Sequence, residues 1–330
     1  MAEPRAPRID PTVAGWLVRA AQAVLAVAIV YFVWQSLSGS LERSGFATLE
    51  FSFGYLAAAW AVLLVYYLLF VGGLALVLRA LGYRPHYRDV LKLSFGANLG
   101  KYLPGGIWQV AGKIAMAKRA GVDRHAALVA SVIESGVSVA GGALMFLATT
   151  FIGAELPPGV PRWSMVVLAA GIVGALHPAI FGRVVRLGMR LLKIEEDVPR
   201  LTFTATLGLV AYYCGIWFVA GAAFWLFARS LTPLALPGHV LAIGGAYAAA
   251  MIGGLLVLFV PAGLGVREGI LLVMLQLTFG PAGAGAAAVI SVAARVWSTL
   301  LELALSAVAV ALPYANPALA GDDEPDEDGS

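Results

Sequence analysis

The run YLAAAWAVLLVYYLLFVGGLALVL, Tyr55 to Leu78, decides the fold: 24 residues with neither a charge nor a proline. At 1.5 Å rise per residue, about 20 such residues cross a hydrocarbon core about 30 Å thick. The stretch therefore predicts a transmembrane helix. Working outward, comparable apolar runs occupy Ala14–Leu37, Ala126–Ile152, Trp163–Phe181, Thr204–Phe227, Val240–Val260 and Ala284–Leu312. A shorter apolar piece, Gly269–Phe279, precedes the last run and is too short to cross upright, leaving a half-helix or a tilted helix as its two readings. The expected fold is all-α, a polytopic membrane protein of about eight transmembrane helices.

Composition agrees. Of 330 residues, 60% are hydrophobic and 12% charged, where a soluble domain has about 45–50% apolar and about 25% charged residues. The mean hydropathy is +0.86. The chain divides into a polar N-terminal tail (1–13), one transmembrane domain (14–312) and an acidic tail (313–330) expected to be disordered. Basic residues cluster beside alternate spans: Arg5 and Arg8; Arg79, Arg84, Arg88 and Lys92; Lys113, Lys118, Arg119 and Arg124; Arg183, Arg186, Arg190, Lys193 and Arg200. The intervening loops are poor in Lys and Arg, so the basic loops and the N-terminus are expected on the cytoplasmic side of a cell (plasma or inner) membrane. Arg183, Arg186, Arg190 and Lys193 share one helical face, which reads as an amphipathic helix on the inner leaflet or as a plain positive-inside loop. The net charge of +3 gives no reason to expect nucleic acid. The lone Cys214 and the scattered His86, His125, His177 and His239 make no metal spacing, and no cofactor is expected.

Two places break the helical pattern. Residues 88–118, RDVLKLSFGANLGKYLPGGIWQVAGKIAMAK, are apolar but interrupted by Gly96, Gly100, Pro104, Gly105 and Gly106. Both flanks are basic, so the segment is expected to enter and leave on one side, as a re-entrant hairpin broken near 95–112 or as a surface-lying pair. The second break, FVPAGLGVREG at 259–269 and centred on 260–268, repeats the pattern of proline, any residue, glycine, apolar residue. Pro104 lies 30 residues before Glu134, and Pro261 lies 34 before Arg295. Paired breaks of this kind point to an internal repeat with a site between its halves. Charges within spans, each costing about 2.5–3.5 kcal/mol on insertion scales, need partners or a wet cavity. Ser131, Glu134, Ser138 and Gly142 form one polar stripe, and Ser291, Arg295, Ser298 and Glu302 another. The stripes are expected to face each other across a cavity, or Glu134 or Glu268 pairs with Arg295 to fix packing. Gly245, Ala249 and Gly253 make a small-residue face for close helix contact.

Asn98, Lys101-Tyr102-Leu103-Pro104-Gly105, Trp108-Gln109, Glu134 and Pro261-Ala262-Gly263-Leu264-Gly265-Val266-Arg267-Glu268 together resemble the flippase-like membrane domain of the lysylphosphatidylglycerol synthase family. The resemblance covers about residues 15–312. It implies movement of an anionic or aminoacylated phospholipid between leaflets. About 18 residues follow Leu312, so translocation without the family's soluble transferase is the expectation. Candidate cargo contacts are Asn98, Lys101, Tyr102, Trp108, Gln109, Lys113, Glu134, Arg267, Glu268, Arg295 and Glu302. Lys101, Lys113 and Arg267 suit a phosphate, Glu134 or Glu268 an amine, and Tyr102 and Trp108 the headgroup depth. A small-solute or ion-coupled secondary transporter uses the same architecture. So does an accessory subunit of a separate lipid synthase or glycosyltransferase. No carboxylate pair at metal spacing, nucleophile–base set or nucleotide loop favours an enzyme.

Overall fold

The computed structural model describes residues 49–98, 108–152, 159–175, 180, 182–183, 201–257 and 263–315. The expected first span Ala14–Leu37, the tip Pro104-Gly105-Gly106, Pro261, His177, the basic face beyond Arg183 and the acidic tail from 316 onward lie outside these residues, as do the site candidates Lys101 and Tyr102.

The described residues form nine α-helices: α1 (Phe53–Ala80), α2 (Tyr87–Leu91), α3 (Trp108–Ala117), α4 (Arg124–Ile152), α5 (Arg162–Ala175), α6 (Phe203–Leu231), α7 (Val240–Leu256), α8 (Val266–Phe279) and α9 (Ala284–Ala311). Helix α2 continues into a π-helical turn, Lys92–Gly96. Helices α1, α4, α6 and α9, and α7 with its preceding turn, are long and apolar enough to cross a membrane. Their outer faces stay apolar and exposed, as at Phe53, Val310 and Leu256, because lipid rather than water covers them. Inward, Leu63, Leu74, Tyr213 and Phe224 fill the core. Helices α1 and α6 make the broadest contact, with α4 and α7 packed on α6.

Contacts fix the directions. Backbone N–H groups of Glu50 and Ser52 donate to Leu231 and Ser230 carbonyls at 3.0 and 2.8 Å, so α1 begins where α6 ends. This end also holds the start of α7: Trp225 Nε1 donates to the Leu236 carbonyl at 3.0 Å. Helix α8 runs back to it, placing Phe279 6.5 Å from the His239 ring. The opposite end carries the basic residues Arg79, Lys118, Arg119 and Arg124. Helix α9 finishes there, beside Lys92. The short piece anticipated as Gly269–Phe279 therefore starts one turn earlier, at Val266, and the last helix ends on the basic side.

Two broken hairpins result. In the first, the arm 87–98 packs on α3, with Gly96 against Met116 and Gly112 against Ala97, and both outer ends lie on the basic side. In the second, α7 and α8 enter from the other end. A methyl group on Gly254 or Gly263 would not fit, since the Gly254 Cα would lie 2.5 Å from a Cβ on Gly263, whose φ of +62° also favours glycine. The hairpins thus form an inverted pair, the arrangement found where transporters place their sites. The small-residue face of α7 meets two partners rather than one. Gly245 abuts Thr149 of α4 and Gly253 abuts Ile270 of α8, because α7 is wedged between them.

Candidate functional site

The arms of the two hairpins meet α1, α4, α6 and α9 around an open space. A cavity of about 230 Å³ occupies it. Helix α1 supplies Tyr66, Tyr67 and Phe70; the first hairpin supplies Ser94, Phe95, Asn98, Gln109 and Lys113; α4 gives Ser138 and Val139, and α6 gives Trp217. The second hairpin contributes Tyr247, Met251, Ile252, Leu255 and Arg267, and α9 contributes Glu302. With water occupying about 30 Å³ in the liquid, the cavity has room for several molecules, and Asn98, Gln109, Lys113, Arg267 and Glu302 offer them partners in an otherwise largely apolar wall.

Among the described residues two ion pairs each join the second arm of a hairpin to the long helix that follows it. Lys113 Nζ lies 2.6 Å from Glu134 Oε2, with both side chains nearly buried. Arg295 Nη1 donates to Glu268 Oε1 at 2.8 Å. The sign is reversed between the two: cation then carboxylate in the first, carboxylate then cation in the second. Glu268 Oε2 also accepts from the N–H of Gly265, the N-cap of α8, at 2.5 Å, the half of a capping box that a glycine N-cap allows. Glu134 Oε1 is buried with no hydrogen-bond partner among the described residues.

Of the anticipated residues, Asn98, Gln109, Lys113, Arg267 and Glu302 line the cavity, and Glu134 adjoins it through Lys113. Gln109 Nε2 donates to Asn98 Oδ1 across a long 3.4 Å, so both amides keep capacity for other partners. Tyr67 donates to Glu302 Oε1 at 2.9 Å. Arg267 has no ion pair among the described residues. Glu268 and Arg295 do not line the cavity, and Trp108 is exposed.

The expectation that two polar stripes face each other is corrected. Glu134 pairs with Lys113 of the first hairpin, and Arg295 turns to Glu268. Arg295 and Glu302 are seven residues apart, about 10 Å along the helix, and the cavity reaches only the second. Ser131, Ser291 and Ser298 donate to carbonyls of their own helices, at 2.8, 2.8 and 3.2 Å. The sequence reading missed the aromatic wall of Tyr66, Tyr67, Trp217 and Tyr247. Tyr66 lies 5.1 Å from Tyr67 and 6.2 Å from Trp217, ring to ring. The available signal was a tyrosine pair in mid-span, where a hydroxyl needs a partner.

Chemically, the arrangement offers a guanidinium and an ammonium for an anion, amide groups for hydroxyls, and aromatic faces for apolar or cationic groups. Compared with known families, residues 19–301 match the model described as the lysylphosphatidylglycerol synthase TM region. No curated protein matches the chain.

Proposed function

The chain belongs to the lysylphosphatidylglycerol synthase TM-region family, and we propose that it moves the polar headgroup of a membrane phospholipid between leaflets, flippase-like, without chemical transformation. One observation supports this reading: a cavity lined from both broken hairpins, largely apolar but holding the cations Lys113 and Arg267 beside the amides of Asn98 and Gln109. A phosphate needs such cations once it leaves water, and Arg grips it bidentately while Lys acts as a point charge. The aromatic wall gives a headgroup an apolar surface to slide on. The Lys113–Glu134 pair bears on this reading, since Lys113 lines the cavity and puts an ammonium within reach of a phosphate that enters it. The basic end is read as cytoplasmic, in a cell membrane.

Reconstitution in liposomes carrying fluorescent anionic, zwitterionic or aminoacylated phospholipids tests this. Loss of fluorescence on external quenching should exceed that of empty vesicles for at least one headgroup and fall by tenfold or more in Arg267→Ala. Rates equal to protein-free vesicles across the whole panel overturn it. A second reading, an ion-coupled small-solute transporter, draws support from the unpartnered Glu134 Oε1. Saturable uptake that collapses with the proton gradient and in Glu134→Gln would favour it over lipid movement.

A further inference from the structure

The last turn of a helix leaves carbonyl groups without intrahelical partners. In α9 the partner comes from 217 residues earlier in the chain. Lys92 Nζ donates to the Ala309 carbonyl at 2.8 Å and also to the Leu312 carbonyl. It lies 4.6 Å from the Tyr314 ring centroid as well. Leu312 leaves the helix with extended backbone, ψ 138°, which carries the chain over Lys92 toward Asp89. There Asp89 Oδ1 accepts from the Ala315 N–H at 2.9 Å. Asp89 and Lys92 are three residues apart on one helical face. They are 3% and 7% exposed, so neither is a solvated surface charge.

What this grip holds is unusual. Lys92 is the first residue of the π-helical turn Lys92–Gly96. Single π-turns are wider than α-turns and recur where a helix must bend at a functional site. Within this turn, Ser94 and Phe95 line the cavity, and Asn98 follows directly. Ser94 Oγ is buried without a partner among the described residues, so the turn is not locked by its own side chains.

We propose that residues 309–315 are a strap that fixes the π-turn, and with it the cavity wall at Ser94, Phe95 and Asn98. With the strap engaged, the first hairpin stands as observed. With it released, the arm 87–98 is free to shift about the π-turn and reshape the cavity. The inference concerns the hairpin's freedom alone and holds whatever the cavity carries.

Hydrogen–deuterium exchange on the full chain in lipid nanodiscs tests it without any transport readout. Ala315→Pro deletes the donor to Asp89 while leaving every side chain of the arm in place. Lys92→Met deletes the grip on α9, and Lys92→Arg restores a cation. Peptides covering 87–98 should exchange about tenfold faster in Ala315→Pro and Lys92→Met, with recovery in Lys92→Arg and no change in α6. A parallel variant, Ser94→Cys in a Cys214→Ala background, should react severalfold faster with a water-soluble maleimide once Ala315→Pro is added. Faster exchange confined to 309–315, or equal loosening of α6, overturns the strap. Should Lys92→Met fail to fold, Ala315→Pro and the maleimide rate still decide.

Discussion

The two hairpins carry matching ion pairs that are finished to different degrees. In the second, both Glu268 oxygens are used, one by Arg295 and one by the Gly265 N–H, and neither charged residue of the pair lines the cavity. In the first, Glu134 commits one oxygen to Lys113 and leaves the other buried and bare. Its partner Lys113 lines the cavity. A saturated buried pair fixes structure, because removing either member strands a charge. A half-satisfied one at a cavity wall keeps its cation within reach of whatever enters the cavity. The same motif, repeated in inverted orientation, is closed off from the cavity in one half and open to it in the other.

This contrast can be broken by measurement. The largest effect on stability is expected from Glu268→Leu, which strands Arg295 and uncaps α8: about 3–5 kcal/mol, seen as a sharp fall in the thermal unfolding midpoint in detergent. Adding Arg295→Leu should recover much of it. Next comes Lys113→Met, at about 3 kcal/mol, since Glu134 is left buried without its cation but no helix cap is lost. The double variant with Glu134→Leu should regain stability but not translocation. If Lys113→Met costs as much as Glu268→Leu, the two pairs are equivalent and the distinction fails. Tyr67→Phe removes a hydroxyl from Glu302 Oε1 and is expected to cost about 1 kcal/mol, measured by the same unfolding assay. Arg267→Ala should be smallest in stability, within about 0.5 kcal/mol, while lowering headgroup movement tenfold or more. That split between folding and activity is what a cavity cation without an ion pair predicts.

Much of the fold could be read from the chain. The runs Tyr55–Leu78, Ala126–Ile152, Thr204–Phe227 and Ala284–Leu312 fall within a few residues of α1, α4, α6 and α9, since apolar length alone sets a membrane crossing. Both breaks were legible from Pro and Gly. Partner choice was legible only in part: Glu268–Arg295 was one of two pairings the sequence offered, and Lys113–Glu134 was not among them. Spacing places Glu134 and Arg295 on their helices, but which cation a carboxylate meets depends on how the hairpin arms dock, and that is a tertiary matter. Val266-Arg267-Glu268 reads as loop by hydropathy, yet it forms the first turn of α8 once Gly265, at φ +80°, starts the helix. Lys92 reads as a topology signal and Asp89 as nothing at all, because their partners, backbone groups of residues 309–315, leave no trace in side-chain pattern.

Helices α7 and α8 have 17 and 14 residues, about 25 and 21 Å, against a hydrocarbon layer about 30 Å thick. A wet recess beside such short helices thins the insulating layer locally. The voltage across the bilayer then drops mainly over the remaining dry gap, so the electric field there is steeper than in the surrounding lipid. A unit charge moved through 100 mV exchanges about 2.3 kcal/mol with that field. An ionised group held in that gap would exchange energy of this order with the membrane potential.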